Sequence, residues 1–269
     1  MTTSSLRFTK MHGLGNDFVI INALDSAINL QTLPFAELAD RHTGIGFDQL
    51  LVISASQKAD FFCRIYNADG SEAEQCGNGL RCVARYLHED GIHTDKHIRI
   101  ETLAGIFSLE IQNYDHIRAC MGIPDITHPM IELHLPLANI PVSILSLGNP
   151  HAIARMETLE SLPLEQFAAQ IAMDKKYFPN GVNVGFMQVL HDNHIRLRTF
   201  ERGAGETFAC GSNACAAAAA GITLGLLQPQ VRVDYRYGSL TIEWKGGSEA
   251  IYMTGPAARV YAGEITVSA

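Results

Sequence analysis

Two of the six cysteines stand in settings that suit proton transfer better than packing. Cys76 is followed by Gly77-Asn78-Gly79 and Cys210 by Gly211-Ser212, and each stands where a turn gives way to a helical run. A thiol at a helix start meets backbone N–H groups with no intrahelical partner and the positive end of the helix dipole, so the pattern predicts thiolate character. The small residues that follow let the backbone approach a bound carboxylate. Such a group can take a proton from carbon or return one. Two of them, on opposite faces of a stereocentre, would invert it. The other four, Cys63, Cys82, Cys120 and Cys215, lie in apolar or helical runs and read as small buried residues. No CxxC is present, so no metal site is expected.

The chain also resembles itself. Arg64, Tyr66, Glu72, Cys76 and Gly77 fall on Arg198, Phe200, Glu206, Cys210 and Gly211 at a constant offset of 134. Gly15-Asn16 matches Gly148-Asn149 at an offset of 133, and Gly46-Phe47-Asp48-Gln49 resembles Gly185-Phe186-Met187-Gln188 at 139. Two copies are too few for a solenoid and fit a duplicated domain, two similar halves face to face. Ligands commonly sit between such halves, so Cys76 and Cys210 are expected to face each other across a cleft.

The elements around the two thiols repeat as well. A strand-like run precedes each (Asp60 to Tyr66, His194 to Phe200), then a turn, and a helix follows each. Leu80 to Leu87 is strongly helical and stops near Gly91; the second helix runs through Ala214 to Ala220 and on to Leu227. Further strands are predicted at Phe18–Asn22, Leu50–Ile53, Ile98–Thr102, Phe107–Ile111, Val231–Tyr235 and Ser239–Trp244, and helices at Pro34–Arg41 and Leu164–Ala172. Thr127 to Leu145 reads as connector and strand. The class is α+β (α/β mixed), with two pseudo-symmetric duplicated domains, each a mixed sheet around a central helix. The N-terminal half, 1–121 plus 257–269, carries Cys76; the C-terminal half, 122–256, carries Cys210.

Composition narrows the field. The chain has 269 residues, 47% hydrophobic and 18% charged, which is enough for a full core. A formal charge of −8, with no run of Lys and Arg, argues against nucleic acid. The N-terminus lacks an apolar signal segment, and the most apolar stretch, Ala214 to Leu227, is too short for a membrane. A cytoplasmic protein is expected.

The blocks Lys10-Met11-His12-Gly13-Leu14-Gly15-Asn16-Asp17-Phe18, Asn67-Ala68-Asp69-Gly70-Ser71 and Cys76-Gly77-Asn78-Gly79-Leu80-Arg81 resemble the diaminopimelate epimerase family. So do Gly148-Asn149-Pro150-His151, Val182-Asn183-Val184-Gly185-Phe186, and Glu201-Arg202-Gly203-Ala204-Gly205-Glu206-Thr207 leading to Cys210-Gly211-Ser212. The resemblance covers nearly the whole chain. It implies a cofactor-independent isomerase that interconverts LL- and meso-diaminopimelate in lysine and peptidoglycan synthesis, working as a homodimer with Tyr261 near the contact. By the same resemblance Cys76 and Cys210 are the catalytic pair, Cys210 accepting and Cys76 donating in the LL-to-meso direction. His151 and Glu201 would tune their pKa values. Asn16, Gln49, Asn67, Asn149, Asn183, Glu201 and Arg202 would bind the substrate, with Gly77, Asn78, Gly211 and Ser212 supplying donors around its reacting carboxylate. Arg202 suits a carboxylate through two parallel bonds. Asn213 departs from the small residue usual in the family, and tolerance is expected there.

Rival readings remain. A proline racemase-like or hydroxyproline epimerase-like enzyme also uses two thiols; Asn67, Asn183, Glu201 and Arg202, suited to a second amino-acid end, favour the diaminopimelate pattern. A thiol-redox protein would join Cys76 to Cys210, and a plain binding module would not need the pair. A pyridoxal phosphate racemase would need a Schiff-base lysine, and none of the six lysines lies in an evident cofactor loop.

Overall fold

The computed structural model describes residues 3–25, 29–136 and 138–268; Met1, Thr2 and Ala269, at the ends of the expected N-terminal half, lie outside them. The chain divides into two compact units, Met1–Ala119 with Pro256–Ala269, and Cys120–Gly255.

The first unit runs β1 (Thr3–Gly13), β2 (Asn16–Asn22), α1 (Phe35–Ala39), β3 (Gln49–Ser54), β4 (Phe61–Asn67), β5 (Glu72–Ala73), α2 (Gly77–Glu89), β6 (His97–Thr102), β7 (Gly105–Asn113) and β8 (His116–Cys120). The second runs β9 (Asp125–His134), β10 (Asn139–Ser146), β11 (Pro150–Arg155), α3 (Leu164–Met173), β12 (Asn183–His191), β13 (His194–Glu201), β14 (Gly205–Thr207), α4 (Gly211–Thr223), β15 (Gln230–Tyr235), β16 (Gly238–Glu243) and β17 (Tyr252–Gly255). The chain ends in β18 (Ala258–Ser268), which belongs to the first unit.

The two units share one topology. In the first the pairing order is β18, β1, β2, β3, β4, β6, β7, β8, antiparallel except for the parallel pairs β2–β3 and β4–β6. In the second it is β9, β10, β11, β12, β13, β15, β16, β17, antiparallel except for β11–β12 and β13–β15. Each parallel pair needs a crossover, and the crossovers hold the helices: α1 and α3 in one position, α2 and α4 in the other. Thr127 to Leu145 becomes most of the hairpin of β9 and β10.

Each sheet packs about its own inner helix. α2 lies against β1, β2, β3, β7 and β18, and α4 against β9 through β13 and β15 through β17. That explains the all-round burial of α4, whose Ala216 to Ala220 are at most 1% exposed. Small side chains let strands approach from every side. A second core lies on the other side of each sheet, with Leu38 of α1 among Val19, Leu50 and Val52, and Ala168 and Ile171 of α3 among Val184 and Phe186.

The helix stops also repeat. Gly91 N–H bonds His88 O at 3.2 Å and Ile92 N–H bonds Leu87 O at 3.0 Å; Gly225 bonds Ile222 at 3.0 Å and Leu226 bonds Gly221 at 2.9 Å. Both glycines take positive φ, 69° and 68°, the left-handed turn that ends a helix this way. α4 therefore ends at Thr223, short of the expected Leu227.

One block of the apparent repeat is not equivalent in the two units. Leu50 pairs Tyr66 as Val184 pairs Phe200, so the strands match at an offset of 134, which sets Gln49 on Asn183. Gly46 to Asp48 precede β3, whereas Gly185 to Met187 lie inside β12; their likeness at 139 is coincidental. The matched arginines are structural in both units: Arg64 grips Glu72 at 2.7 and 2.9 Å, and Arg198 grips Glu206 at 2.8 and 2.9 Å. Each pair ties a short strand, β5 or β14, to the strand before it and steadies the turn leading to the cysteine.

Candidate active site

Cys76 is the N-cap of α2, with extended φ of −149°, and its sulfur accepts the Gly79 N–H at 3.4 Å. This is the work usually done by Ser or Asp at a helix start. The thiol also lies 3.9 Å from Asn16 Oδ1. Asn16 opens β2 and Gln49 opens β3; Asn67 closes β4 opposite Gln49, whose Nε2 donates to Asn67 Oδ1 at 2.9 Å. Asn67 Nδ2 donates in turn to Ser71 Oγ at 3.0 Å. Gly77 and Asn78 form the first turn of α2 and are buried. The first unit thus brings Asn16, Cys76 and Asn78 together, and pairs Gln49 with Asn67.

In the second unit Cys210 occupies the N-cap position of α4, with φ of −132°. It is buried, its S–H donates to Glu201 Oε2 at 3.1 Å, and its sulfur lies 3.5 Å from Ser212 Oγ. Thr207 Oγ1 donates to the other Glu201 oxygen at 2.6 Å and fixes the carboxylate. The Tyr235 hydroxyl donates to Cys210 O at 2.8 Å. Burial, then the Glu201 charge, push the Cys210 thiol well above its ordinary range; the Ser212 hydroxyl and the Asn213 N–H pull the other way and lose. The expected thiolate is therefore reversed here: Cys210 rests as a thiol beside a base.

Asn183 opens β12, and its Oδ1 accepts the Arg202 backbone N–H at 2.8 Å. Arg202 is exposed, and its Nη1 donates to Asn180 O at 3.0 Å, which aims the fork while using one of its five donors. His151 is fully buried, with Nε2 at 2.9 Å from Asn149 Oδ1. Burial pushes its pKa down to about 3, so the ring is neutral at working pH and Nε2–H is the donor. His151 is thereby tied to a substrate-binding candidate. Asn213 is fully buried, and neither polar atom of its side chain has a partner among the described residues, so its size is accommodated and its polarity is not.

Sequence reasoning missed a charged cluster beside Asn16. Asp17 receives Arg41 through two nitrogens at 2.8 Å and Lys10 at 2.5 Å, and Arg41 also reaches Asp48 at 2.8 Å. Burial alone would push Asp17 up; the bonds from Arg41 and Lys10 overcome it and hold the carboxyl down at about 2. It also missed Arg81, which has no exposed surface. The available signal was a charged residue inside the apolar run Leu80-Arg81-Cys82-Val83-Ala84, since an unexposed arginine needs partners. Cys63, Cys82 and Cys215 are buried as expected, and Cys120 is half-buried.

Comparison with known proteins finds relatives over nearly the whole length of the chain. The sequence model of diaminopimelate epimerase matches residues 8–127 and 143–260. A diaminopimelate epimerase from Nitrosospira multiformis is 45% identical over 97% of this chain and 98% of its own length. One from Pseudomonas aeruginosa is 44% identical over 97% and 99%. Among solved structures, a hydroxyproline epimerase from Agrobacterium vitis superposes with a TM-score of 0.74 at 15% identity, covering 98% of this chain and 93% of that one. A probable proline racemase from Agrobacterium radiobacter gives 0.75 at 16% identity, with the same coverage. At such identities the structural likeness establishes the fold. The sequence relatives establish more: the chain belongs to the diaminopimelate epimerase family.

Proposed function

We propose that the chain interconverts LL- and meso-2,6-diaminopimelate by proton transfer between two thiols and one α-carbon, without a cofactor, as a step of lysine and peptidoglycan synthesis. The observation that carries this reading is a cysteine capping the inner helix of each unit, one of them hydrogen-bonded to a carboxylate.

In the LL-to-meso direction Cys210 gives its proton to Glu201 and takes the α-proton as thiolate. The C–H electron pair passes into the adjacent carboxylate. That carboxylate is held by the first-turn N–H groups, at Gly77 and Asn78 of α2 and at Gly211 and Ser212 of α4, which stabilise the added charge. Cys76 delivers its proton to the opposite face, and the α2 N-terminus with the Gly79 N–H steadies the thiolate left behind. The reverse direction exchanges the two roles. Arg202 grips a carboxylate with its remaining donors, and Asn67, Gln49, Asn149 and Asn183 read the far amino-acid end. Requiring both ends rejects ordinary amino acids, because unmatched polar groups in the site are costly. His151 acts on this scheme through Asn149. A cytoplasmic homodimer with the exposed Tyr261 near its contact completes the reading.

Reduced protein incubated with LL-diaminopimelate should yield the meso isomer by chiral chromatography, with no added pyridoxal phosphate. Cys76→Ser and Cys210→Ser should each lower turnover by at least about 100-fold. Inversion of proline or hydroxyproline in place of diaminopimelate would favour the racemase-like alternative and contradict this reading.

A further inference from the structure

The polar side chains beside Cys76 form a chain whose two ends have fixed polarity. At one end is the buried Arg81 guanidinium, which can only donate; its Nη2 gives a hydrogen bond to Asn78 Oδ1 at 2.9 Å. That commits the Asn78 amide, whose Nδ2 donates to Asn16 Oδ1 at 3.2 Å. At the other end is the Asp48 carboxylate, which accepts. Its Oδ2 takes Asn16 Nδ2–H at 2.9 Å and the Asp17 backbone N–H at 3.1 Å, and its Oδ1 is held by Arg41 at 2.8 Å. The Asn16 amide is thus fixed from both sides. Turning it over would set its NH2 against the NH2 of Asn78 and its carbonyl against the carboxylate of Asp48. In the fixed sense its carbonyl oxygen faces the Cys76 sulfur.

We propose that Asp48 and Arg81 are positioning residues that hold the Asn16 carbonyl toward Cys76 and so keep that thiol in its proton-donating form. The inference rests on the reading of Cys76 as an acid–base group. An acceptor oxygen beside sulfur favours S–H, whereas the Gly79 N–H and the helix start favour the thiolate. The charged and titratable groups of this region include Lys10 and His12 on β1, Asp17 on β2, Arg41 and Asp48 before β3, Glu74 before α2, and Arg81 on α2. The nearby thiols are Cys63 on β4 and Cys82 on α2. Burial pushes both up, Cys82 to about 12, so they stay neutral.

The test is the pH dependence of Cys76 alkylation by iodoacetamide, read by mass spectrometry of the Cys76 peptide from the whole reduced chain. Asp48→Ala releases Asn16, and the apparent pKa of Cys76 should fall by about 0.5–1 unit, the equivalent of one neutral hydrogen bond. Asp48→Asn removes the charge but keeps an acceptor oxygen in reach of Asn16, and should leave Cys76 as in the wild type. Loss of charge alone would move both variants alike, so equal shifts overturn the proposal, as does no shift in Asp48→Ala. Asp48 is exposed and Arg41 keeps its bonds to Asp17, so folding should survive; Asp48→Ser, too short to reach Asn16, replaces the alanine variant if that one is insoluble. The alkylation profile decides the positioning role whether or not the wild type turns over diaminopimelate, so the two readings fail separately.

Discussion

His151 occupies in the second unit the register position that Phe18 holds in the first, facing Asn183 as Phe18 faces Gln49, and both are fully buried. A polar ring stands where the duplicate has an apolar one, and it stays neutral because burial holds its pKa at about 3. The ordinary histidine value is near 6.5, so between pH 6.5 and 3 the unfolded chain binds a proton that the folded chain does not. Stability therefore rises with pH across that window and is lost on acidification. Denaturant unfolding at stepped pH should show the wild type losing about 1.4 kcal/mol per pH unit below pH 6 that His151→Phe does not lose. Parallel profiles would mean that His151 is protonated in the folded state. At this scale the candidate site residues could be named from spacing and resemblance, but their protonation could not. The helix start at Cys210 suggested a thiolate; only its burial and the placement of Glu201, nine positions earlier in sequence, reveal a resting thiol. The orientations of Asn16 and Asn78 were equally hidden, because they depend on Asp48 and Arg81, residues that sequence gives no reason to pair.

The elements show which sequence signals held and which failed. Strands were located to within a residue or two at β6 and β15, where period-two burial is clean, and at β3, whose continuous apolar run is buried on both faces. The second inner helix was drawn too long because the apolar run continues past its stop, while the stop is set by one backbone conformation at Gly225. An added Cβ there meets nothing within 4 Å, so substitution tests the backbone alone. Gly225→Ala should cost about 1–2 kcal/mol in thermal or denaturant unfolding, and Gly225→Asn clearly less, since Asn tolerates the left-handed region. Equal stability of Gly225→Ala and the wild type would contradict the assigned helix stop. The misplaced repeat block at Gly185 has a similar origin: short Gly-Phe likenesses recur by chance, and strand register separates them from true equivalents.

For the whole molecule, duplication was the most legible property, since two cysteine-capped helices and two arginine–glutamate ties recur at one spacing. What sequence could not supply was the pairing of the closing strand, although its segment, 257–269, was assigned to the N-terminal half. β18 takes in the first unit the sheet position that β9 takes in the second, although it comes from the far end of the chain. Pairing between distant segments leaves no periodic mark. In the proposed mechanism one thiol removes the α-proton and the other supplies a different proton, which early-time proton NMR and mass analysis of LL-diaminopimelate in D2O with the reduced protein can distinguish. Newly formed meso product should carry deuterium at the inverted carbon while unreacted LL substrate keeps its α-proton. Meso product that retains the substrate proton would mean a single shared base, and would contradict the two-thiol mechanism.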